Sequence, residues 1–253
     1  MIENISTTID NQPTILYEDN HIVVALKPQN VPTQADDSGD IDFLNIIKNY
    51  IKVKYQKPGN TYIGLVHRLD RPTGGVMVFA RTSKAAGRLS EQIRQGDISK
   101  KYIAGVVGVP KYSANRLVNY LKKDEKNNIV TLATMLEEGA KKAILDYKVL
   151  ESNVDTTPPI SLVDITLHTG RSHQIRVQMQ ALGHPLFGDT KYTNAQSETI
   201  KSKKLALWAY ELGFVHPVTQ EKLKFVSYPP NDILPWNHFN IDKYNSIYKP
   251  TDN

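Results

Sequence analysis

With 253 residues, 40% of them hydrophobic, the chain is long enough for one large domain or two small ones around a proper core. It contains no cysteine, which excludes disulfides, thiolate metal sites and cysteine nucleophiles, so its chemistry must come from oxygen and nitrogen groups. The formal charge of +5 and pI near 9.1 suit a polyanionic partner such as RNA, because Lys and Arg that neutralise phosphates release counterions, yet net charge speaks to association rather than fold.

No apolar run approaches the roughly 18 to 20 residues of a membrane helix, and the first residues, Met1 to Gln12, lack a basic-then-apolar signal pattern. A cytoplasmic protein with no membrane partner is expected. From Thr14 the residues Ile15-Leu16-Tyr17 and His21-Ile22-Val23-Val24-Ala25-Leu26 read as strands joined by an Asx-type turn at Glu18-Asp19-Asn20 and closed by Lys27-Pro28. Phe43, Leu44, Ile47 and Ile51 recur at helical spacing, and Pro58-Gly59-Asn60 stops that helix. Tyr62 to Val66 and Val76 to Ala80 are apolar strands that bracket a polar loop from His67 to Gly75. Thr82 or Ser83 can cap the next helix, whose apolar side is Ala86, Leu89 and Ile93 and whose end is Gly96; Arg81, Lys84, Arg88 and Arg94 make it basic.

Lys101 to Val109 is strand-like, whereas Lys111 to Gly139 is dense in polar residues and reads as an exposed, partly irregular excursion. Ala143, Leu145, Tyr147 and Val149, then Val163, Ile165 and Leu167, alternate as half-buried strands around a turn at Asp155 to Pro159. Thr169-Gly170 ends the second of these, Ser172 can cap a helix with the stripe Ile175, Met179 and Leu182, and Gly183 ends it. Leu205 to Val215 and Lys222 to Tyr228 form a hairpin about Pro217 to Glu221, and Pro229-Pro230 terminates the sheet. Strands outnumber helices, so the class is α+β around a mainly antiparallel sheet. No repeat or linker divides the chain, which predicts one catalytic domain over residues 14–240, a polar N-terminal extension over 1–13 and a C-terminal tail over 241–253.

Two polar clusters could carry chemistry. Asp70 stands between Arg68 and Arg71 in a turn-rich loop held at both ends by apolar strands, an environment that favours the ionised carboxylate. Such a group can act as nucleophile or electrostatic stabiliser at an anomeric carbon, although an ordinary surface turn fits the local residues equally well. The second cluster is Thr169 to Arg176 with Gly183 to Asp189. On a helix, Arg176 lies off the apolar stripe, beside the His173 face, free to reach a carboxylate or phosphate; a solvated helix residue fits there too. His67, Asp70, His168, His173, His184 and Asp189 are potential metal ligands, but their spacing forms no ligand motif. Arg68, Arg71, Arg171 and Arg176 interleave with them and would oppose a cation, so no metal is expected.

The segment His67-Arg68-Leu69-Asp70-Arg71-Pro72-Thr73-Gly74-Gly75 resembles the "HRLD-x-x-T-[SG]-G" signature of the RluA-type pseudouridine synthases. Lys101 to Gly108 resembles that family's tyrosine motif, and Gly170 to Arg176 with Gly183 to Asp189 resembles its "GR[TS]HQIR...GHP-x-x-GD" motif. Tyr17-Glu18-Asp19 and Lys27-Pro28 fit its start, so the likeness runs from Ile15 to about Phe239 in the expected order. The resemblance implies a long, mixed, mainly antiparallel sheet in two halves with an RNA-binding cleft between them. It implies isomerisation of a uridine in RNA to pseudouridine: the bond from N1 to ribose C1′ breaks, the base turns, and C5 joins C1′.

By the same resemblance Asp70 matches the catalytic aspartate, Arg176 the basic residue paired with it, and Tyr102 the tyrosine stacked on the target base. Arg68 matches an arginine that fills the space left by the flipped nucleotide, and His67 supports the loop. Arg71, Thr73, Arg171, His173 and Gln174 lie in the same motifs and are expected to contact the RNA. A stacked uracil must be flipped out to be reached, at a cost of a few kcal/mol that stacking and phosphate contacts offset. Attack by Asp70 at C1′, assisted glycal formation and addition to ring C6 all remain open, and Tyr102 is the expected base for the C5 proton. The reaction involves no redox change or net hydrolysis, so no cofactor is expected. Gly74 stands where many members carry Ser, which would loosen the loop. Many relatives also carry a basic S4 module, whereas here about a dozen polar residues precede the first strand. Recognition is therefore expected from the catalytic domain itself, using Lys84, Arg88 and Arg94, in a monomer that needs no protein partner and acts on ribosomal or transfer RNA. A non-catalytic RNA-binding module and a metal-dependent nucleic-acid hydrolase are the competing readings.

Overall fold

In the computed structural model, which describes residues 12–56, 58–193 and 204–245, the chain opens as the expected Asx hairpin. The Asp19 carboxylate accepts the backbone N–H groups of His21 and Ile22 at 2.7 and 2.8 Å, turning β1 (Thr14–Glu18) into β2 (Ile22–Lys27). Asp42 caps α1 (Phe43–Lys54) by accepting the N–H of Asn45 at 2.9 Å, and the helix buries Phe43, Ile47 and Ile51. β3 (Gly64–Leu65) and β4 (Gly74–Ala80) frame the polar loop. Thr82 caps α2 (Ser83–Gln95), which ends at Gly96 with a left-handed φ of 82°.

After β5 (Ser99–Val107) the structure departs from the expected irregular excursion. Residues 111–139 contain β6 (Ala114–Asp124) and β7 (Ile129–Ala133), an antiparallel hairpin registered from Tyr120↔Ala133 to Asp124↔Ile129, and β6 pairs again with β8 (Lys141–Asn153). Little of the hairpin is covered. Leu121 and Val130 are buried, while Val118 and Leu132 are about half exposed, so this ordered strand pair has too few buried positions to alternate visibly and its sequence looks like that of a loop. β9 (Ile160–Leu167) leads to α3 (Gln174–Ala181), and β10 (Leu207–Val215) with β11 (Lys222–Val226) forms the last hairpin. Residue 241 onward was expected as a tail, yet Ile241–Asn245 folds as α4 and buries Ile241.

The strands join one eleven-stranded sheet in the order β1-β2-β4-β10-β5-β9-β8-β6-β7, with β11 on β10 and β3 on β4. Every pairing is antiparallel except β4 with β10, which is parallel and holds only through Trp208↔Gly74 and Ala209↔Gly75. That short seam divides the sheet into the two expected halves. Its glycines leave no space: a Cβ on Gly74 would sit 2.3 Å from the Trp208 ring, and one on Gly75, at φ 128°, 2.2 Å from the Ala209 carbonyl oxygen. Gly74 therefore does not loosen the loop, because the indole occupies the room a serine would take.

One face of the sheet packs α1 and α3 against Val23, Phe79, Tyr102 and Leu145, each fully buried apolar side chain there contributing about 1.5–3 kcal/mol. The other face carries α2 over β2 and β4, and Trp236, Phe239 and Ile241 over Ile103, Leu162 and Trp208. Among the described residues no helix is long and apolar enough to cross a membrane.

Candidate active site

The loop from His67 to Gly75 is immobilised through its backbone. His67 Nε2 accepts the N–H of Val78 on β4 at 3.1 Å, and burial, reinforced by the charge of Lys100, pushes this imidazole down to about 3. A neutral ring holding a strand amide anchors the start of the loop to β4 and has no lone pair left for RNA. Residues 27–33 then hold the loop carbonyls one after another. The Thr33 hydroxyl donates to the Leu69 carbonyl at 2.7 Å, the Asn30 N–H and Lys27 Nζ to that of Arg71 at 2.8 and 3.1 Å, and Gln29 Nε2 to that of Pro72 at 3.1 Å. The turn closes where the Thr73 N–H reaches the Asp70 carbonyl at 2.9 Å.

Lys27 is wholly buried beneath this loop and also donates to the carbonyls of Pro28 and Val31 at 2.9 and 2.6 Å. Burial pushes the amine down to about 7 against the opposing attraction of Asp70. Three carbonyl acceptors take the three donors of the ammonium, which offsets part of the cost of burying it.

The second cluster is fixed through its side chains. α3 begins at His173, which adopts a left-handed φ of 50° and makes no side-chain cap, so the expected cap by Ser172 is absent. The Gln174 amide closes the junction instead. Its oxygen accepts the Thr169 hydroxyl at 2.8 Å and the Arg171 N–H at 3.0 Å, and its nitrogen donates to the Ile144 carbonyl at 3.1 Å. Arg171 Nε donates to the Lys142 carbonyl at 3.0 Å. Arg176 is not the free side chain the helix pattern suggested. It is 6% exposed and donates from Nε and Nη2 to the two carboxylate oxygens of Asp189 at 2.7 and 2.6 Å. Burial works against its charge, but the hydrogen bonds and charge of Asp189, with the charge of Asp70, outweigh that and raise its pKa. Arg176 thus shares the field of Asp70 while its hydrogen bonds go to Asp189.

The Arg176 guanidinium lies 5.0 Å from the ring centre of Tyr192, whose hydroxyl accepts the Val130 N–H at 2.9 Å and stands 2.7 Å from His173 Nδ1. Burial lowers the His173 pKa and favours its neutral ring. Tyr192 ties the β6–β7 hairpin to the start of α3.

Asp70 lies at the junction of two cavities. One, of about 290 Å³, runs between Asp70 and the Tyr102, Leu207 and Ile175 side chains, with Lys100 and Thr73 also in its wall. The second, of about 550 Å³, runs from Asp70 past Arg68 and the His173–Arg176 cluster to Lys123 and Asn128 at the turn of the β6–β7 hairpin. Among the described residues the Asp70 carboxylate accepts no hydrogen bond, and the exposed Arg68 guanidinium makes none. Arg71, expected at the RNA, instead turns to the 36–40 loop, donating to the Ser38 hydroxyl at 2.8 Å and to the carboxylates of Asp36 and Asp40. Thr73 is 2% exposed and its hydroxyl is buried without a partner.

Burial, with the charge of Asp70, raises the Tyr102 pKa and favours the protonated phenol. Of the basic residues on α2, Arg88 donates to the Pro217 carbonyl and Arg94 pairs with Glu91, which ties both into the protein's own contacts. Among the described residues no three His, Asp or Glu gather as a metal-binding group. Sequence reasoning missed the roles of Lys27 and Tyr192, placed Asp189 in a motif and among possible metal ligands but not opposite Arg176, and passed over Lys100, although a lysine two positions from Tyr102 on one strand must share its face.

A model of the RNA pseudouridylate synthase family matches residues 21–181, more than half of the chain. The chain belongs to this family. Ribosomal large subunit pseudouridine synthase C of Buchnera aphidicola is 34% identical over 232 residues, which cover 89% of this chain and 69% of that protein. Ribosomal large subunit pseudouridine synthase D of Vibrio cholerae is 33% identical over 87% of this chain and 68% of its own length. Among solved structures, human RNA pseudouridylate synthase domain containing 4 superposes with a TM-score of 0.71 at 25% identity, over 89% of this chain and 90% of that one. Human RNA pseudouridylate synthase domain containing 1 shares the fold at a TM-score of 0.73 and 20% identity, over 94% of both chains. This pseudouridine synthase therefore acts on RNA as an isomerase, within the mixed, mainly antiparallel α+β fold of its family.

Proposed function

We propose that Asp70 is the nucleophile of this synthase and that the 290 Å³ cavity beside it receives the flipped uracil. The observation that carries this reading is a carboxylate with no hydrogen-bond partner of its own among the described residues, on a loop whose neighbouring carbonyls are all tied down. A backbone held that firmly spares the reaction the cost of ordering its attacking group. Tyr102, in the wall of the same cavity, stacks on the base, and Arg68 occupies the gap the nucleotide leaves in the RNA. Arg176, locked by Asp189, is a fixed positive charge beside Asp70 that stabilises the carboxylate before attack and after release.

The names of the relatives direct the substrate reading to large-subunit ribosomal RNA, with transfer RNA as the other structured target. Lys123 at the β6–β7 turn and Lys191 line the same cleft and suit its phosphates. The enzyme works as a cytoplasmic monomer without a protein partner. Asp70→Asn tests the central assignment: release of tritium from C5 of labelled uridine in RNA should stop, while RNA affinity stays within a few-fold of wild type. Full activity in that variant would reject Asp70 as nucleophile. Mapping pseudouridines in total RNA from cells with and without the gene identifies the RNA and the position.

A further inference from the structure

The cavity assigned to the flipped base has a polar side chain in its wall that none of these roles uses. Lys100 lies two residues before Tyr102 on β5, so the two side chains leave the strand on the same face. Its Nζ reaches across to the Thr169–Arg176 cluster, 3.9 Å from where a Cβ on Gly170 would be. Among the described residues it has no hydrogen-bond or ion-pair partner. The other cations of this wall are differently placed: Arg176 is committed to Asp189, Arg171 to the Lys142 carbonyl, and Arg68 is exposed at the mouth.

We propose that Lys100 is a further catalytic residue, whose ammonium binds a uracil carbonyl oxygen and stabilises the negative charge that gathers there during isomerisation. The proposal rests on the reading of this cavity as the uracil pocket. A uracil entering it loses water from two carbonyl oxygens and needs donors in exchange. The chemistry then raises the demand. When the N1–C1′ bond breaks, its electron pair stays with the base and spreads over N1 and the carbonyl oxygens. If Asp70 adds to C6 instead, the electron pair of the C5=C6 bond moves onto the same carbonyl system as an enolate. Every route open to Asp70 thus places an anion on those oxygens. Once C5 bonds to C1′, C5 releases its proton and N1 gains one; Lys100 keeps its protons throughout. A donor positioned where charge develops, in a site that excludes water, is among the strongest catalytic devices available to a protein. Burial also lowers the Lys100 pKa, which makes its N–H groups better donors.

The test uses the full chain and a short transcript carrying the uridine mapped in cells, under single-turnover conditions. Lys100→Met should slow isomerisation by about 10² to 10³, the usual cost of removing one such donor. Its melting temperature and RNA affinity should stay close to wild type, and Lys100→Arg should recover part of the rate. A second transcript carries 5-fluorouridine at the target position. Its ring holds negative charge more readily and its C5 carries no proton to release, so the Lys100→Met defect, read as loss of the starting 5-fluorouridine after nuclease digestion, should shrink. An equal defect on both transcripts, a defect confined to RNA affinity, or a wild-type rate on the uridine transcript would each overturn the role. Asp70→Asn runs alongside: if it remained active, the uracil-pocket reading itself would fall, whatever Lys100 did.

Discussion

The two polar clusters that face each other across the cleft are held in opposite ways. In the loop from His67 to Gly75 the backbone is spent: carbonyls at Leu69, Arg71 and Pro72 are held by Thr33, Lys27, Asn30 and Gln29, and the side chains of Arg68 and Asp70 are left without hydrogen bonds among the described residues. From Thr169 to Arg176 the side chains are spent: Gln174 closes the strand-to-helix junction, Arg171 holds the Lys142 carbonyl, and Arg176 is locked onto Asp189. Both stretches are motif-dense and equally polar as sequence. What separates a reacting group from a supporting one is where its hydrogen bonds already go.

Four variants break or sharpen this contrast. Asp189→Ala should have the largest effect, because it strands the Arg176 guanidinium, 6% exposed, without its carboxylate; a loss of about 3 to 5 kcal/mol is expected in chemical denaturation. Asp70→Asn should leave the unfolding midpoint almost where it was, having no partner to lose, and if the two variants were equally stable the contrast would collapse.

Lys27→Met probes the buried anchor under the loop. The unfolded chain keeps the Lys27 proton up to the ordinary value of 10.5, while the folded one releases it near 7, so between those values the unfolded state binds more protons and wild-type stability should climb with pH. In Lys27→Met that climb should be missing from unfolding midpoints measured between pH 7 and 10. Turnover should fall with it, as the Arg71 carbonyl loses one of its two donors. The smallest effect belongs to Arg71→Ala. Its guanidinium makes exposed contacts to Asp36, Ser38 and Asp40, and exposed ion pairs contribute little, so melting temperature and turnover should barely move. A large loss of RNA affinity there would return Arg71 to the substrate side.

Much of the frame was legible because local signals agreed with the fold. Asp19 makes the hairpin turn, Thr82 and Gly96 bound α2, and the apolar strands around His67 to Gly75 place the loop at the sheet's centre. The hairpin of β6 and β7 was missed because most of its side chains are exposed on both faces, with Leu121 and Val130 its buried positions, too few to produce the alternation that marks a half-buried strand. Arg176 was misjudged for a different reason. Its partner Asp189 lies thirteen residues on, beyond the end of α3, and no helical period connects them. Burial of a lysine leaves no periodic trace either, so Lys27 read as the close of a strand and Lys100 went unnoticed. Tyr102 lines the cavity beside Asp70, and the burial that raises its pKa comes from packing that the sequence does not display.

The parallel joint between β4 and β10 works like the pivot of a pair of calipers. Asp70 rides on the arm that ends in β4, whereas Tyr102, Lys100 and Arg176 ride on the other, which begins at β10, and only two residue pairs connect the arms in the sheet. The gap between the Asp70 carboxylate and the cavity wall of Tyr102 and Lys100 is therefore set by that joint and not by either arm. With Trp208 wedged against Gly74 and the Ala209 backbone against Gly75, the pivot is stiff, and a few tenths of an ångström of added bulk there would be transmitted along the arms to the two sides of that cavity.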